Sequence, residues 1–95
     1  MVQIRSVGVI GAGQMGTGIA HVCALAGYDV LLHDVSADKI TAGIALIEKN
    51  LTRQVSRNII DHEAAQAAIA RIKPADELQT VGATDLAIEA ATENE

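Results

Sequence analysis

Gly11-Ala12-Gly13-Gln14-Met15-Gly16 is a G-x-G-x-x-G run, and an acidic residue, Asp34, follows it at the distance of roughly twenty residues used by dinucleotide sites. In such a run the first glycine, Gly11, permits a tight strand-to-helix turn. Gly13 removes the side chain that would block a pyrophosphate, and Gly16 lets the helix pack close to the strand. Phosphates meet unpaired backbone N–H groups there, together with the positive end of the helix dipole. By itself the spacing is weak, since short glycine patterns arise by chance. Here a β-branched strand precedes it, a helix follows, and Asp34 ends the next strand. In that context a turn that serves packing alone is the weaker reading.

Asp34 selects among cofactors. A carboxylate at that strand end accepts hydrogen bonds from adenosine ribose hydroxyls. It would also face the additional 2′-phosphate of NADP, and like charges ~4 Å apart repel by about 1 kcal/mol in water and about 4 at an effective dielectric of 20. Val35 and Ser36 follow, with no adjacent Arg or Lys to clamp a phosphate; Lys39 lies farther along. NAD is therefore expected over NADP. Flavin sites use the same fingerprint, and a turn-forming or helix-capping Asp is compatible with the ribose role.

The elements that must position these residues can be read on either side of them. Val2 to Ile10 is β-branched and closes on Val7, Val9 and Ile10, which suits a strand buried on both faces, as in a parallel sheet. Met15, Ile19, Val22, Cys23 and Ala26 recur at helical spacing, so Gly13 to Ala26 reads as a helix, with Gly27 as its left-handed cap. Asp29 to Asp34 is the second strand, completing a βαβ unit. Ser36 is a candidate N-cap for a long helix over Ala37 to Ser56, striped by Ile40, Ile44, Ile47, Leu51 and Val55. A second helix is expected from an N-cap at Asp61 through the alanine-rich stretch to Pro74. Two helices thus separate the second strand from the third. That third strand is faint, somewhere in Arg71 to Pro74 or just after, and Thr84 to Ala90 reads as a fourth. The expected class is α/β: a Rossmann-type parallel sheet of about four strands with a paired-helix insertion between strands 2 and 3.

Composition narrows the alternatives. Ninety-five residues, 49% hydrophobic and 20% charged, make one small domain and exclude a disordered chain. A net charge of −5 and one aromatic residue, Tyr28, argue against a nucleic-acid partner. Ser6 to Tyr28 carries no formal charge, but five glycines from Gly8 to Gly18 interrupt it, so a membrane span or signal peptide fits poorly. Cys23 excludes an internal disulfide and is expected as a small core residue. His21, His33 and His62 are dispersed and read as structural or surface groups. Met1 leads directly into the first strand, leaving no room for a transit peptide, which suits a bacterial cytoplasm.

The segment VGVIGAGQMGTGIAHVCALAGYDVLLHD, the helical insertion ending near ARIKP and the closing TDLAIEAATENE resemble the 3-hydroxyacyl-CoA dehydrogenase family, in particular its 3-hydroxybutyryl-CoA branch. The resemblance runs over essentially the whole chain. It implies NAD-dependent oxidation of (S)-3-hydroxyacyl-CoA to 3-oxoacyl-CoA. It implies further that Gly11 to Gly16 hold the pyrophosphate, Asp34 the adenosine ribose, and Ala90 and Glu93 the nicotinamide side. The paired helices would contact coenzyme A through Asn50, where the family often has Ser, and Arg57, where it often has Lys. Lys49, Arg53 and Arg57 are spaced by about one helical turn, a pattern that usually makes a solvated face. The family's catalytic His–Glu pair, its Ser and Asn, and the helical domain that forms its dimer would lie beyond residue 95, so no catalytic residue is assigned here. The chain is then the N-terminal portion of an NAD-binding domain, and a homo-oligomer is expected. Two other readings keep the same nucleotide domain: a hydroxyacid or sugar-acid dehydrogenase, and a non-catalytic NAD-sensing module.

Overall fold

Val7 and Val9 alternate with Gly8 along the first strand, and Val30 and Leu32 alternate with Leu31 along the second; the four aliphatic residues share one buried face. A computed structural model, which describes residues 4–90, sets these strands side by side. The element order is β1 (Ser6–Ile10), α1 (Gln14–Leu25), β2 (Asp29–His33), α2 (Ala37–Ser56), α3 (His62–Arg71), β3 (Ile72–Pro74), α4 (Leu78–Gly82) and β4 (Leu86–Glu89). The sheet is fully parallel in the order β3-β2-β1-β4. Val7 lies between Val30 and Leu86, and Val30 lies between Val7 and Ile72. This is the expected α/β sheet with its paired-helix insertion.

The three longer helices cover one face. Ala20 and Ala24 of α1, Ile47 and Leu51 of α2, and Ala65 and Ala68 of α3 close over the valines and Leu32. Helix α2 spans the expected residues, is capped by Ser36, and buries Ile40, Ile47 and Leu51 together with Gly43. It ends on Asn58 at φ +60°, whose N–H meets the Val55 carbonyl while the Ile59 N–H meets that of Gln54. Helix α1 closes in the same way on Gly27 at φ +106°.

Four sequence readings need correction. The buried face of α1 is Gly16, Thr17, Ala20 and Ala24, whereas Met15 and Val22 are 52% and 66% exposed. Small residues face the sheet because α1 lies close against it; Met15 and Val22 point outward, while Ile19, Cys23 and Leu25 are half-buried beside the core. Helix α3 stops at Arg71, since Ile72 is already extended, and Pro74 ends β3 rather than the helix. A short helix, α4, was not foreseen. Thr84 and Asp85 form a turn, not strand: Asp85 accepts the N–H groups of Arg5 and Ser6 at 2.8 and 3.1 Å, clamping the start of β1. The expectation of a strand buried on both faces holds for β1, where Val7, Gly8 and Val9 are all buried, while in β2 Leu31 is half-buried on the side away from α1, α2 and α3. That side is covered, among the described residues, by α4 and the turn after it, whose Val81 and Thr84 sit where a side chain at Gly8 would be.

Candidate functional site

At the carboxyl end of β1 the backbone pairing continues beyond the strand. The Ile10 carbonyl accepts the Ala90 N–H at 2.8 Å, and the Gly11 N–H donates to the His33 carbonyl at 2.7 Å. Gly11 then turns the chain at φ +106°, a conformation that side chains other than glycine rarely tolerate. Gly13, extended, is the N-cap of α1. Gly16 faces the Gly11 carbonyl so closely that no Cβ has room there, so the turn and the first helical turn are one packed unit.

This N-terminus is bare. No side chain caps α1, and its first turn holds no acidic residue. The first N–H groups of a helix have no intrahelical partner, and their dipoles favour an anion. Gln14 and Met15, both exposed, flank the opening.

Asp34 follows β2 directly and sits beside this turn. Its Oδ2 accepts the Ala12 N–H at 2.9 Å and its Oδ1 accepts the Ser36 N–H at 3.0 Å. These bonds, Ala12's foremost, hold its carboxyl below the usual range against a smaller opposing effect of burial, and Lys39 adds a favourable field. A fixed, ionised carboxylate results, with lone pairs left for further donors. Beside it, Val35 is 99% exposed, and a recess of about 140 Å³ is lined by Ile10, Gly11, His33, Asp34, Val35 and Leu78. His33 is buried and donates from Nδ1 to the Ala75 carbonyl at 2.7 Å, a structural engagement.

A second feature leads away from the turn between α1 and α2. Recesses of about 380 and 470 Å³ share Gln14, Thr17 and Leu46; the first reaches Ala12 and Gly13, the second reaches His21 and Asn50. Asn50, half-buried, therefore stands at the far end of a groove that begins at the glycine turn. His21 is tied to Gln54 across it, Nε2 to Oε1 at 3.0 Å. Arg57 does not line that groove. It is the exposed C-cap of α2, on the outside of the helix pair with exposed Lys49 and Arg53. The structure thus gathers Gly11 to Gly16, Asp34 and Ala90 at one end of the sheet, places Asn50 along the groove and leaves Arg57 apart. Glu93 lies outside the described residues. Val35 and Gly18, which also lines the groove, escaped the sequence reading; an apolar residue directly after the acid was the available signal for the first.

The donor set fits a dinucleotide: a bare helix N-terminus and a glycine turn for a pyrophosphate, a fixed carboxylate for ribose hydroxyls, and an apolar recess beside it. Among the described residues, no cluster of His, Cys, Asp or Glu suits a metal ion, and no helix is long and apolar enough to cross a membrane.

Comparison with known proteins agrees with this geometry. Residues 6–95 match the family model described as 3-hydroxyacyl-CoA dehydrogenase, NAD binding domain. The chain is 55% identical over 92 residues to a 3-hydroxybutyryl-CoA dehydrogenase of Bradyrhizobium diazoefficiens, covering 97% of this chain and 31% of that protein. It is 40% identical to a 3-hydroxyadipyl-CoA dehydrogenase of Escherichia coli, covering 98% and 20%. Among solved structures, the (S)-3-hydroxybutyryl-CoA dehydrogenase of Ralstonia eutropha superposes with a TM-score of 0.91 at 40% identity, over 98% of this chain and 33% of that one. A lactate dehydrogenase of Cryptosporidium parvum, at 20% identity and a TM-score of 0.63, shares the fold alone. The chain spans a third or less of the length of the curated relatives named here, 31% of the first and 20% of the second. On its motif, its fold and these matches together, the chain belongs to the 3-hydroxyacyl-CoA dehydrogenase family as its NAD-binding domain.

Proposed function

We propose that this domain serves an NAD-dependent dehydrogenase acting on (S)-3-hydroxyacyl-CoA, with 3-hydroxybutyryl-CoA as the substrate class. The observation that carries the acyl-CoA part is the groove running from the glycine turn to Asn50, which offers a long, amide-bearing ligand a path beginning beside the dinucleotide. NAD, when bound, supplies the acceptor for the hydride removed from the substrate's hydroxyl-bearing carbon.

The chain's own residues bind and orient. The Gly13–Gly16 backbone would receive the pyrophosphate and Asp34 the adenosine ribose. Val35 would cover one side of the attached base, because the base follows the ribose onto the apolar recess. Ala90 and Glu93 would stand toward the nicotinamide, at the carboxyl end of β4 and beyond it. Asn50 would hydrogen-bond the CoA arm, and Arg57, on the outer surface, would pair with a CoA phosphate. Proton transfer from the substrate falls to residues outside this chain. The chain is read as the N-terminal portion of a longer polypeptide, cytoplasmic and homo-oligomeric; a lone thiol without a disulfide partner fits a reducing compartment.

A chimaera tests this. Residues 1–95 replace the matching segment of the Bradyrhizobium relative, and NADH consumption at 340 nm is followed with acetoacetyl-CoA and, separately, free acetoacetate. Turnover of the thioester alone is expected. Equal turnover of both would remove the role given to Asn50 and Arg57. Silence with both, in a folded chimaera that binds NADH, would favour a sugar-acid dehydrogenase or a sensor.

A further inference from the structure

Helix α2 carries a glycine, Gly43, in its middle, where glycine is a poor helix former. The reason lies across the helix interface. A Cβ built on Gly43 would stand 2.7 Å from the Thr17 Cγ2 methyl and 3.4 Å from Leu32 Cδ2. Thr17 has little freedom to yield. It is 5% exposed, its β-branched side chain is stiff, and its Oγ1 donates toward the carbonyls of Gly13 and Gln14 at 2.9 and 3.1 Å. Turning the methyl aside would break both contacts. Those two carbonyls belong to the N-cap and first residue of α1, the residues whose backbone N–H groups open onto the dinucleotide cradle.

We propose that Gly43 and Thr17 form a size-matched spacer that positions the glycine turn for NAD, making Gly43 a positioning residue although it lies on a different helix from the motif. The threonine ties the first turn of α1 to α2, and the missing side chain at 43 sets how close α2 approaches. A methyl at 43 pushes Thr17, and Thr17 drags the Gly13–Gln14 peptide with it. The inference rests on the glycine turn being the NAD site.

The test is a four-way comparison in the full chain: wild type, Gly43→Ala, Thr17→Ser and the double variant, each titrated with NADH by fluorescence and melted in parallel. Thr17→Ser keeps the hydroxyl and removes the methyl that the new Cβ would strike, so in the double variant one methyl replaces another in nearly the same space. Expected is a roughly tenfold weaker NADH affinity for Gly43→Ala, a smaller loss of about threefold for Thr17→Ser, whose missing methyl leaves a gap opposite Gly43, and recovery to within about twofold of wild type in the double variant. Wild-type affinity in Gly43→Ala, or no recovery in the double variant, overturns the spacer. Recovery of the melting temperature without recovery of NADH affinity also overturns it, since that result would make the contact merely structural. A folded wild-type chain that fails to bind NADH overturns the cofactor site and the spacer with it.

Discussion

Asp34 has two roles to reconcile, because the carboxylate proposed to receive a ribose already holds the Ala12 and Ser36 N–H groups. Its pKa is lowered in the folded chain, so its contribution to stability is fully present above the ordinary carboxylate value and is lost as pH falls through the lowered one. Asn in its place offers one acceptor oxygen where the carboxylate offers two, leaving one N–H short. Asp34→Asn should therefore cost about 1 kcal/mol near neutrality, a modest figure because the site is partly solvated. The gap to wild type should begin to narrow as pH falls below about 4. Urea unfolding between pH 3 and 7 measures it; Asp85, whose carboxyl is likewise held low by the Arg5 N–H, is present in both proteins and cancels. A gap that did not narrow at all between pH 5 and pH 3 would show that the carboxylate charge is not the stabilising agent. The same ionised group should disfavour NADP by about 1–4 kcal/mol, read as the ratio of the two cofactors' dissociation constants. At this scale the sequence was informative: glycines and an acid at fixed spacing have few physical uses. Val35 was not legible, because its exposure follows from where β2 ends.

Elements were legible where their signals are local. Helix α2 has a cap at Ser36 and an aliphatic stripe at steps of three and four, and it forms over the residues that pattern marks. Helix α1 misled because its core face is written in Gly16, Ala20 and Ala24, the small residues that close packing demands, while Met15 and Val22 look outward. Strand β3 and helix α4 are too short to carry a periodicity; three residues pair with β2, and five residues are held by Val81 against Gly8. Gly18 makes an instructive contrast with Gly43. It is exposed within α1, and no protein atom outside its own helix backbone stands within 4 Å of a Cβ built there. Gly18→Ala should therefore stabilise the free chain by up to about 1 kcal/mol through helix propensity, visible as a rise in melting temperature. In the chimaera the same methyl projects into the groove that leads to Asn50. The KM for acetoacetyl-CoA should rise several-fold while that for NADH holds. An unchanged KM for the thioester would place the CoA arm elsewhere.

The whole molecule is lopsided: α1, α2 and α3 blanket one face of the sheet, and among the described residues α4 alone lies on the other. The two edges differ as well. Strand β3 is three residues long, carries Lys73 and ends on Pro74, which lacks an N–H to offer, so it discourages pairing. Strand β4, Leu86–Glu89, has no lysine and no proline and is charged at its last residue alone, and Leu86 is 43% exposed at its start, with Leu78 and Ile4 at 54% and 41%. Parallel sheets normally have both faces covered, and a weakly defended apolar edge templates another strand. The 95-residue chain should accordingly sediment as a dimer or larger. Leu86→Lys should shift it toward monomer, because a charge on the edge opposes its mirror image across a two-fold axis. A monomeric wild type in dilute solution would show that α4 shields the sheet sufficiently on its own. The chimaera separates this stickiness from any native oligomer. If the remaining two-thirds of the relative occupies the same edge and face, Leu86→Lys there loses its effect on mass and lowers the melting temperature instead. An unaltered melting temperature together with a smaller assembly would mean that β4 remains an intermolecular surface in the longer polypeptide too.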